Sequence, residues 1–520
     1  MDMGEKILAV GLSIILIGSL IQLFNKGIRF PVFSEKGVYA EGFVGHIRAI
    51  NPAFIDFSDA DRDVSRLVFS GLIKYDPVQK NFLPDLAEKW NVSKNGLIYT
   101  FTLRKNALWH DGQPLTANDI VFTFQNVFQH PAFRNPILRN SFEGIEVKKL
   151  DDYTVSFTLT KQNSYFIANL LVGILPKHIL ENADISSLDK SQFSKKYPIG
   201  SGPYKITSLK LDNDGDIVDL EAFSEYYGEK PAMKLIRLFT FPDEKSLLKD
   251  KGALHAISKL NATQIFSESN FSTYNYSLNQ FTALHFNTEN QFLKEKKVRQ
   301  ALAQALNKQE LIMEGEKRVD SLGLTDRSAE PLFKFDPESA KKTLDEINLN
   351  KSEPVSLNLL TLNIEPLTLT DAIKRQMENI GVKIEVERVG SADFYDYVSQ
   401  KRYDLLLIRH NLGYTRDIYS LLHSSQTIDP DKGSFGLNFS NFRSFKTDGL
   451  TEALRKERNP PDKEKLLAQL SVAITDEIPL VFISTPIYTF ALDKNIQSLS
   501  LPNLNSHSDR WSFIPYLKLP

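Results

Sequence analysis

Residues 355–410 decide the fold class. They contain VSLNLLTL (355–362), VKIEVERV (382–389), DFYDYVSQ (393–400) and YDLLLIRH (403–410). VSLNLLTL reads as a strand, and VKIEVERV alternates apolar and polar residues as a half-buried strand does. Between them Ala372, Ile373, Met377 and Ile380 share one helical face, and Gly381 is the expected stop. DFYDYVSQ reads as a short helix. YDLLLIRH carries a continuous apolar run, the pattern of a strand covered on both faces. Strand–helix–strand–helix–strand order predicts a parallel or mixed α/β sheet. Ligands of such sheets sit beyond the carboxyl ends of the strands. Arg409 to Tyr414 are expected there.

Further towards the N-terminus the pattern stays mixed. YTFTLR (99–104) and DYTVSFTLT (152–160) alternate as strands. Thr116 to Asp119 has the form of a capping box opening a helix with Ile120, Val121, Phe124, Val127 and Phe128. Lys294 to Arg299 lies on a helix whose apolar face is Val298, Ala301, Leu302, Ala305 and Leu306; its charges read as a solvated face. Asp212, Asp214 and Asp216 imitate the start of a calcium loop. The glycine is misplaced and no Glu closes the loop, so a solvated hairpin turn is expected.

The whole chain has 520 residues, 42% hydrophobic and 24% charged, with net charge −2. At about 150 residues per domain, roughly three units are expected. The balanced charge gives no whole-chain attraction to nucleic acid or anionic lipid. There is no Cys, so disulfides, thiolate metal sites and Cys nucleophiles are excluded. Export to an oxidising compartment suits a chain without thiols.

Ile7 to Phe24 is 18 residues without a charge. As a helix it would span roughly 27 Å, close to the bilayer hydrocarbon. The nearest small-residue cleavage pattern, Val38-Tyr39-Ala40, lies far beyond the apolar run, so a retained anchor is expected. Asp2, Glu5 and Lys6 precede the run and Lys26 and Arg29 follow it, so the positive-inside rule alone would leave the large domain in the cytoplasm or be undecided.

Catalytic signatures do not emerge. There is no G-x-S-x-G, H-E-x-x-H or Walker loop. Gly200-Ser201-Gly202-Pro203 reads as a structural turn, because Pro203 removes a phosphate-binding N–H. His110, in Trp109-His110-Asp111-Gly112, reads as a packed histidine. Binding is favoured over chemistry.

Several stretches resemble the bacterial extracellular solute-binding proteins of family 5, the oligopeptide- and dipeptide-binding receptors of ABC importers. They are FSGLIKYDP (69–77), PDLAEKW (84–90), YTFTLR (99–104) and WHDGQPLTANDIVF (109–122). LDDYTVSFTL (150–159), LPKHIL (175–180), IGSGPYKI (199–206), KKVRQALAQALNK (296–308), PESAKKTL (337–344) and IGVKIEV (380–386) follow in the family's order. The resemblance covers about residues 37–520. It implies a mixed α/β, two-lobed periplasmic-binding-protein fold (type II, three-domain oligopeptide-binding type) behind an N-terminal transmembrane helix. Residues 1–36 would be anchor and linker. The hinge-side domain of lobe 1 would combine 37–70, 199–280 and 481–520. Its extra domain would be 71–198, and lobe 2 would be 281–480. The large domain would lie outside the cytoplasm, overriding the flanking charges. The implied protein is a monomer without catalysis, cofactor or metal. Its partners would be a peptide or other small solute and the permease and ATPase subunits of the importer.

The resemblance also implies site residues. Asp56, Phe57 and Ser58 match one strand-like ligand wall, and the segment from His410 to Tyr414, including Asn411, matches the other. Peptide binders of the family place an Asp where this chain has Gly413. Asp417 matches an acid of the family, with Ile418 replacing the Pro that follows it; Asp56 is the alternative partner for a ligand ammonium. Arg409 and Arg416 are candidates for a ligand carboxylate, with surface salt bridges as the alternative. Tyr414 and Tyr419 are cleft-wall candidates. His423 to Gln426 and Gly436 to Asn438 are candidates for a polar wall, with capping and turn roles as the alternative. Non-peptide solutes (a nickel chelate, haem, an oligosaccharide, an opine) and a chaperone or sensor role remain as other readings.

Overall fold

The computed structural model describes residues 37–55, 58–196, 198–260, 270–321, 333–347, 355–415, 417–429, 436–496 and 504–517. The charge-free run at 7–24 lies outside them. No helix among the described residues is long and apolar enough to cross a membrane.

Among these residues two large mixed sheets dominate. The first has seven strands in the order 271–276, 488–493, 256–260, 38–44, 235–241, 217–222 and 204–210. Its central strand, Val38–Val44, runs parallel to both neighbours. The second has six strands in the order 316–318, 480–486, 280–286, 405–411, 356–362 and 383–389. Here Ser356–Leu362 is parallel to Lys383–Val389 and to Leu405–Asn411, as expected from the strand–helix pattern. Gln280–Phe286 is antiparallel to both its neighbours, so the sheet is mixed. A smaller four-stranded antiparallel sheet (87–92, 98–103, 154–158, 146–151) carries an aromatic core. In it Phe124 packs on Phe142 and Phe157 at ring-centroid distances of 4.8 and 5.2 Å. Such tilted pairs add to simple area burial. The described chain passes between the two large sheets twice, over residues 277–279 and at Ile487.

Local chemistry explains the boundaries. Thr116 and Asp119 form the expected capping box at the start of Ala117–Val121. Gly381 sits at φ +87°, the left-handed stop for Leu367–Glu378. Gly200 and Gly202 press against the Val68 and Leu67 carbonyls at the end of helix Asp59–Val68, where an added Cβ would collide with backbone oxygen. The turn is therefore a packing device. His110 shares it: its Nε2 lies 3.0 Å from the Gly202 carbonyl, and burial lowers its pKa to about 4.

Two expectations need correction. Asp216 is not a solvated turn residue; it is 2% exposed. Its carboxylate accepts from the Ile47 and Asp212 amides at 2.7 and 3.1 Å, so it satisfies backbone groups of two loops. Arg299 is likewise not on a solvated face. Its buried guanidinium donates to the carbonyls of Leu293, Lys294, Glu477 and Ile478. Those donations terminate helix Pro460–Glu477 and hold Ile478 at φ +45°.

A buried ionic cluster closes the seven-stranded sheet. Arg510, 1% exposed, donates to Glu41 at 2.8 Å from Nε and to both oxygens of Asp63 at 2.8 and 2.6 Å. Lys259 reaches Asp63 at 2.5 Å and lies over the Phe43 ring. Two acids and two cations balance, and Arg510 and Lys259 hold the Asp63 carboxyl far below the usual carboxylate range. Arg510→Met would leave Glu41 buried without a cation and Asp63 with Lys259 alone. The expected loss is about 3–5 kcal/mol, read by urea unfolding, with Glu41→Gln in the same chain recovering part of it.

Candidate ligand-binding cleft

Strand Leu405–Asn411 carries the central site segment. Its apolar half, Leu405 to Leu407, is buried in the six-stranded sheet. Arg409 and His410 are still paired within it, opposite Thr282 and Phe281, so the segment beyond the strand begins later than Arg409. Residues 412–415 then leave the strand, and Asp417 and Ile418 precede helix Tyr419–Leu422.

This segment forms one wall of a cleft of about 760 Å³. Asn411, Asp417, Tyr419, Gln426 and Arg455 line that wall, and Asn163, Tyr165 and Asn169 line the other. The walls touch directly. The Ser164 amide donates to the Arg455 carbonyl at 2.7 Å, and Lys463 Nζ lies 4.1 Å from the Tyr165 ring centroid. A second bridge forms beside the cleft. The Tyr414 hydroxyl donates to Asp509 at 2.7 Å, and its ring packs on Tyr75 at 4.9 Å. Burial and the adjacent Asp509 raise the Tyr414 pKa well above the ordinary tyrosine value.

The expected site residues divide into three groups. Asp56, Phe57 and Arg416 lie outside the described residues. Asn411, Asp417 and Tyr419 line the cleft, with Gly413 and Tyr414 adjoining it. Gly413 sits at φ +58°, its amide donating to Asn411 Oδ1 at 2.8 Å. Asp417 is bound by the Arg455 guanidinium at 2.8 Å. The third group faces elsewhere. Ser58 caps helix Asp59–Val68, accepting from the Asp61 amide at 3.1 Å. Arg409 donates to Glu316 at 2.8 Å and to Thr282 Oγ1 at 3.2 Å, and Ser484 also donates to Glu316. His410 points into the core beneath the sheet. Its Nε2 lies 2.7 Å from His285 Nε2, and its ring stacks on Phe439. Of the polar-wall candidates, Gln426 and Leu437 line the cleft, whereas buried Asn438 donates to the His423 and Phe442 carbonyls.

The histidine pair has a definite proton arrangement. Ser440 Oγ donates to the Pro479 carbonyl, so it accepts from His285 Nδ1–H. His285 Nε2 is then the acceptor, and His410 Nε2–H the donor. Burial lowers both pKa values, that of His410 to about 4.

Arg455, Glu316 and the Asn163–Tyr165 rim were not marked by any motif. Their partners are distant in the chain, and no local spacing announces them.

With the geometry in view, comparison with known proteins decides the family. The model of bacterial extracellular solute-binding proteins, family 5 (middle), matches residues 81–429. The chain belongs to this family. The chain is 26% identical over 495 residues to the oligopeptide-binding protein AppA of Bacillus subtilis, covering 89% of each. It is 24% identical to the dipeptide-binding protein of Escherichia coli, covering 85% of this chain and 88% of that one. Among solved structures, NikZ from Campylobacter jejuni in complex with Ni(L-His) matches with TM-score 0.74 and 26% identity, over 94% of this chain and 100% of that one. Bacillus subtilis AppA in complex with a nonapeptide matches with TM-score 0.76 and 23% identity, over 94% and 99%. The fold is thus the mixed α/β periplasmic-binding-protein fold of oligopeptide-binding type. The protein is a non-enzymatic, extracytoplasmic solute-binding component of an ABC transporter.

The histidine pair generates a pH prediction. Unfolded histidine titrates near 6.5. Both folded values are lower, so protonation favours the unfolded chain. Stability held above pH 6.5 should fall as pH drops towards 4, by about 3 kcal/mol for His410. Denaturant unfolding at pH 7, 5 and 4 checks this, and His410→Phe should flatten the slope.

Proposed function

We propose that this family member is a membrane-tethered receptor that captures peptides between two closing lobes and delivers them to an importer's permease. The cleft between the Asn163 and Asn411 walls carries this reading, because direct contacts already bridge its two sides. Closure around a ligand requires that the ligand bind the closed state better than the open one. The two passages at 277–279 and Ile487 suit a hinge. The proposed division into 37–70 with 199–280 and 481–520, then 71–198, then 281–480, is supported by the sheets that these segments build. Asp56, Phe57, Ser58, Arg409, His410, Asn411, Gly413, Tyr414, Arg416, Asp417 and Tyr419 are the proposed ligand-side segments, with Ser58, Arg409 and His410 contributing through position rather than by lining the cleft.

Retention of the Ile7–Phe24 anchor is supported by the central strand. Cleavage after Ala40 would sever Val38–Val44, remove the fully buried Tyr39 and free its bond to Glu41. A non-peptide solute is the second reading, favoured by Gly413 standing where peptide binders of the family carry an Asp.

Native mass spectrometry of the full-length chain in detergent tests both parts. Release of a heterogeneous set of short peptides from a chain retaining residues 7–24 is expected. One discrete non-peptide mass would replace the substrate. A mature N-terminus near Glu41 would remove the anchor.

A further inference from the structure

We propose that Arg455 sets the ligand selectivity of the cleft by occupying Asp417, so that the wall reads uncharged hydrogen-bonding groups instead of a free ammonium terminus. This rests on the receptor reading above. Asp417 is the carboxylate that the 412–418 segment presents to the cleft. Arg455 Nε lies 3.2 and 3.0 Å from its two oxygens, and Nη2 lies 2.8 Å from Oδ2. The Tyr419 amide donates to Oδ1 at 3.2 Å. Both oxygens are therefore engaged before any ligand arrives.

The guanidinium is held from below as well. Its carbon lies 3.7 Å from the Tyr419 ring centroid, and Tyr419 stacks on His423 at 4.1 Å with planes 17° apart. The Arg455 carbonyl is tied to the opposite wall through Ser164. A ligand ammonium entering here would have to displace a bidentate partner and then sit beside the cation it displaced. Exchanging one cation for another gains little and adds repulsion.

The other acids of the cleft do not replace Asp417. Glu452 lies 3.6 Å from both Lys456 Nζ and His423 Nε2. Glu143 is exposed and hydrated on the far wall, where a pair contributes little. Gly413 offers no side chain. The lining also carries Lys161, a further cation against an entering amine, and a set of amides: Asn163 Nδ2, Asn411 Nδ2 and the Asn169 side chain have no partner among the described residues. Amides both donate and accept without charge. They suit the uncharged stretch of a peptide backbone or the hydroxyls of a neutral saccharide.

The experiment is calorimetric titration of the full-length chain with tetra-alanine, N-acetyl-tetra-alanine and a neutral tetrasaccharide. For the wild type, acetylation should change Kd by less than about threefold, because no ammonium seat is lost. Arg455→Gln should make the free amine at least about fivefold tighter than the acetylated form, through the exposed Asp417. Asp417→Asn added to it should abolish that preference. Arg455→Lys keeps a cation and should stay near the wild-type ratio, which separates charge from folding damage. A wild type preferring the free amine by about tenfold or more overturns the proposal. So does an Arg455→Gln chain, folded by its melting curve, with an unchanged ratio. Binding of the tetrasaccharide alone keeps the proposal and overturns the peptide reading. Binding of neither peptide nor saccharide overturns both.

Discussion

The buried Arg510 guanidinium is the interaction on which the first half of the molecule depends. It joins Glu41 on the central strand, Asp63 on helix Asp59–Val68 and the C-terminal 3-10 segment His507–Ser512. Glu41 and Arg510 are 469 positions apart. A guanidinium suits this place because its planar fork can satisfy both acids at once. A hydrophobic replacement of the whole cluster would remove the desolvation cost. It would also remove the directional link that fixes where the C-terminal segment docks. Asp509, in that segment, accepts from Tyr414 beside the cleft. The geometry of the Tyr414–Asp509 bridge therefore inherits its placement from the buried charge cluster around Arg510.

The two large sheets meet the problem of buried polar groups differently. The first uses opposed full charges. The six-stranded sheet uses neutral groups at its centre: Ser440, His285 and His410 pass one directional chain of hydrogen bonds to the Pro479 carbonyl. A neutral chain is stable only while both imidazoles stay unprotonated. The position that begins this chain, His410, lies one residue before Asn411 on the cleft wall. Core and cleft are thus alternate faces of one strand, since successive side chains point to opposite sides.

What was legible in the sequence was local. The strands at 356–362, 383–389 and 405–411 followed from apolar periodicity, and the Thr116–Asp119 cap from residue type and spacing. The glycines at 200 and 202 were readable as a turn, although their contact with helix Asp59–Val68 was not. Side chains whose roles depend on distant partners were misread. Asp216 and Arg299 look like surface charges in sequence, yet backbone groups from other segments bury them. His410 is committed to His285, 125 positions away. Charge and polarity indicate exposure only until tertiary structure supplies enough partners to replace water.

The same reasoning bears on how the cleft distinguishes ligands. A polar site can recognise charge only where its own charges are not already neutralised. Arg409 is held by Glu316 and Asp417 by Arg455, so two groups that look like ligand seats in sequence are internally paired. Such pairs still act on the ligand, but through shape and position. The Arg455 pair orders the Tyr419 ring and fixes the backbone that meets Ser164. If the two walls close on a ligand as proposed, one that leaves these pairs intact would retain the wall contacts. One that breaks them would lose part of the differential affinity that such closure requires. Under the proposed capture mechanism, internal neutralisation would couple selectivity to closure through Arg455, whose guanidinium pairs with Asp417 and whose carbonyl meets Ser164.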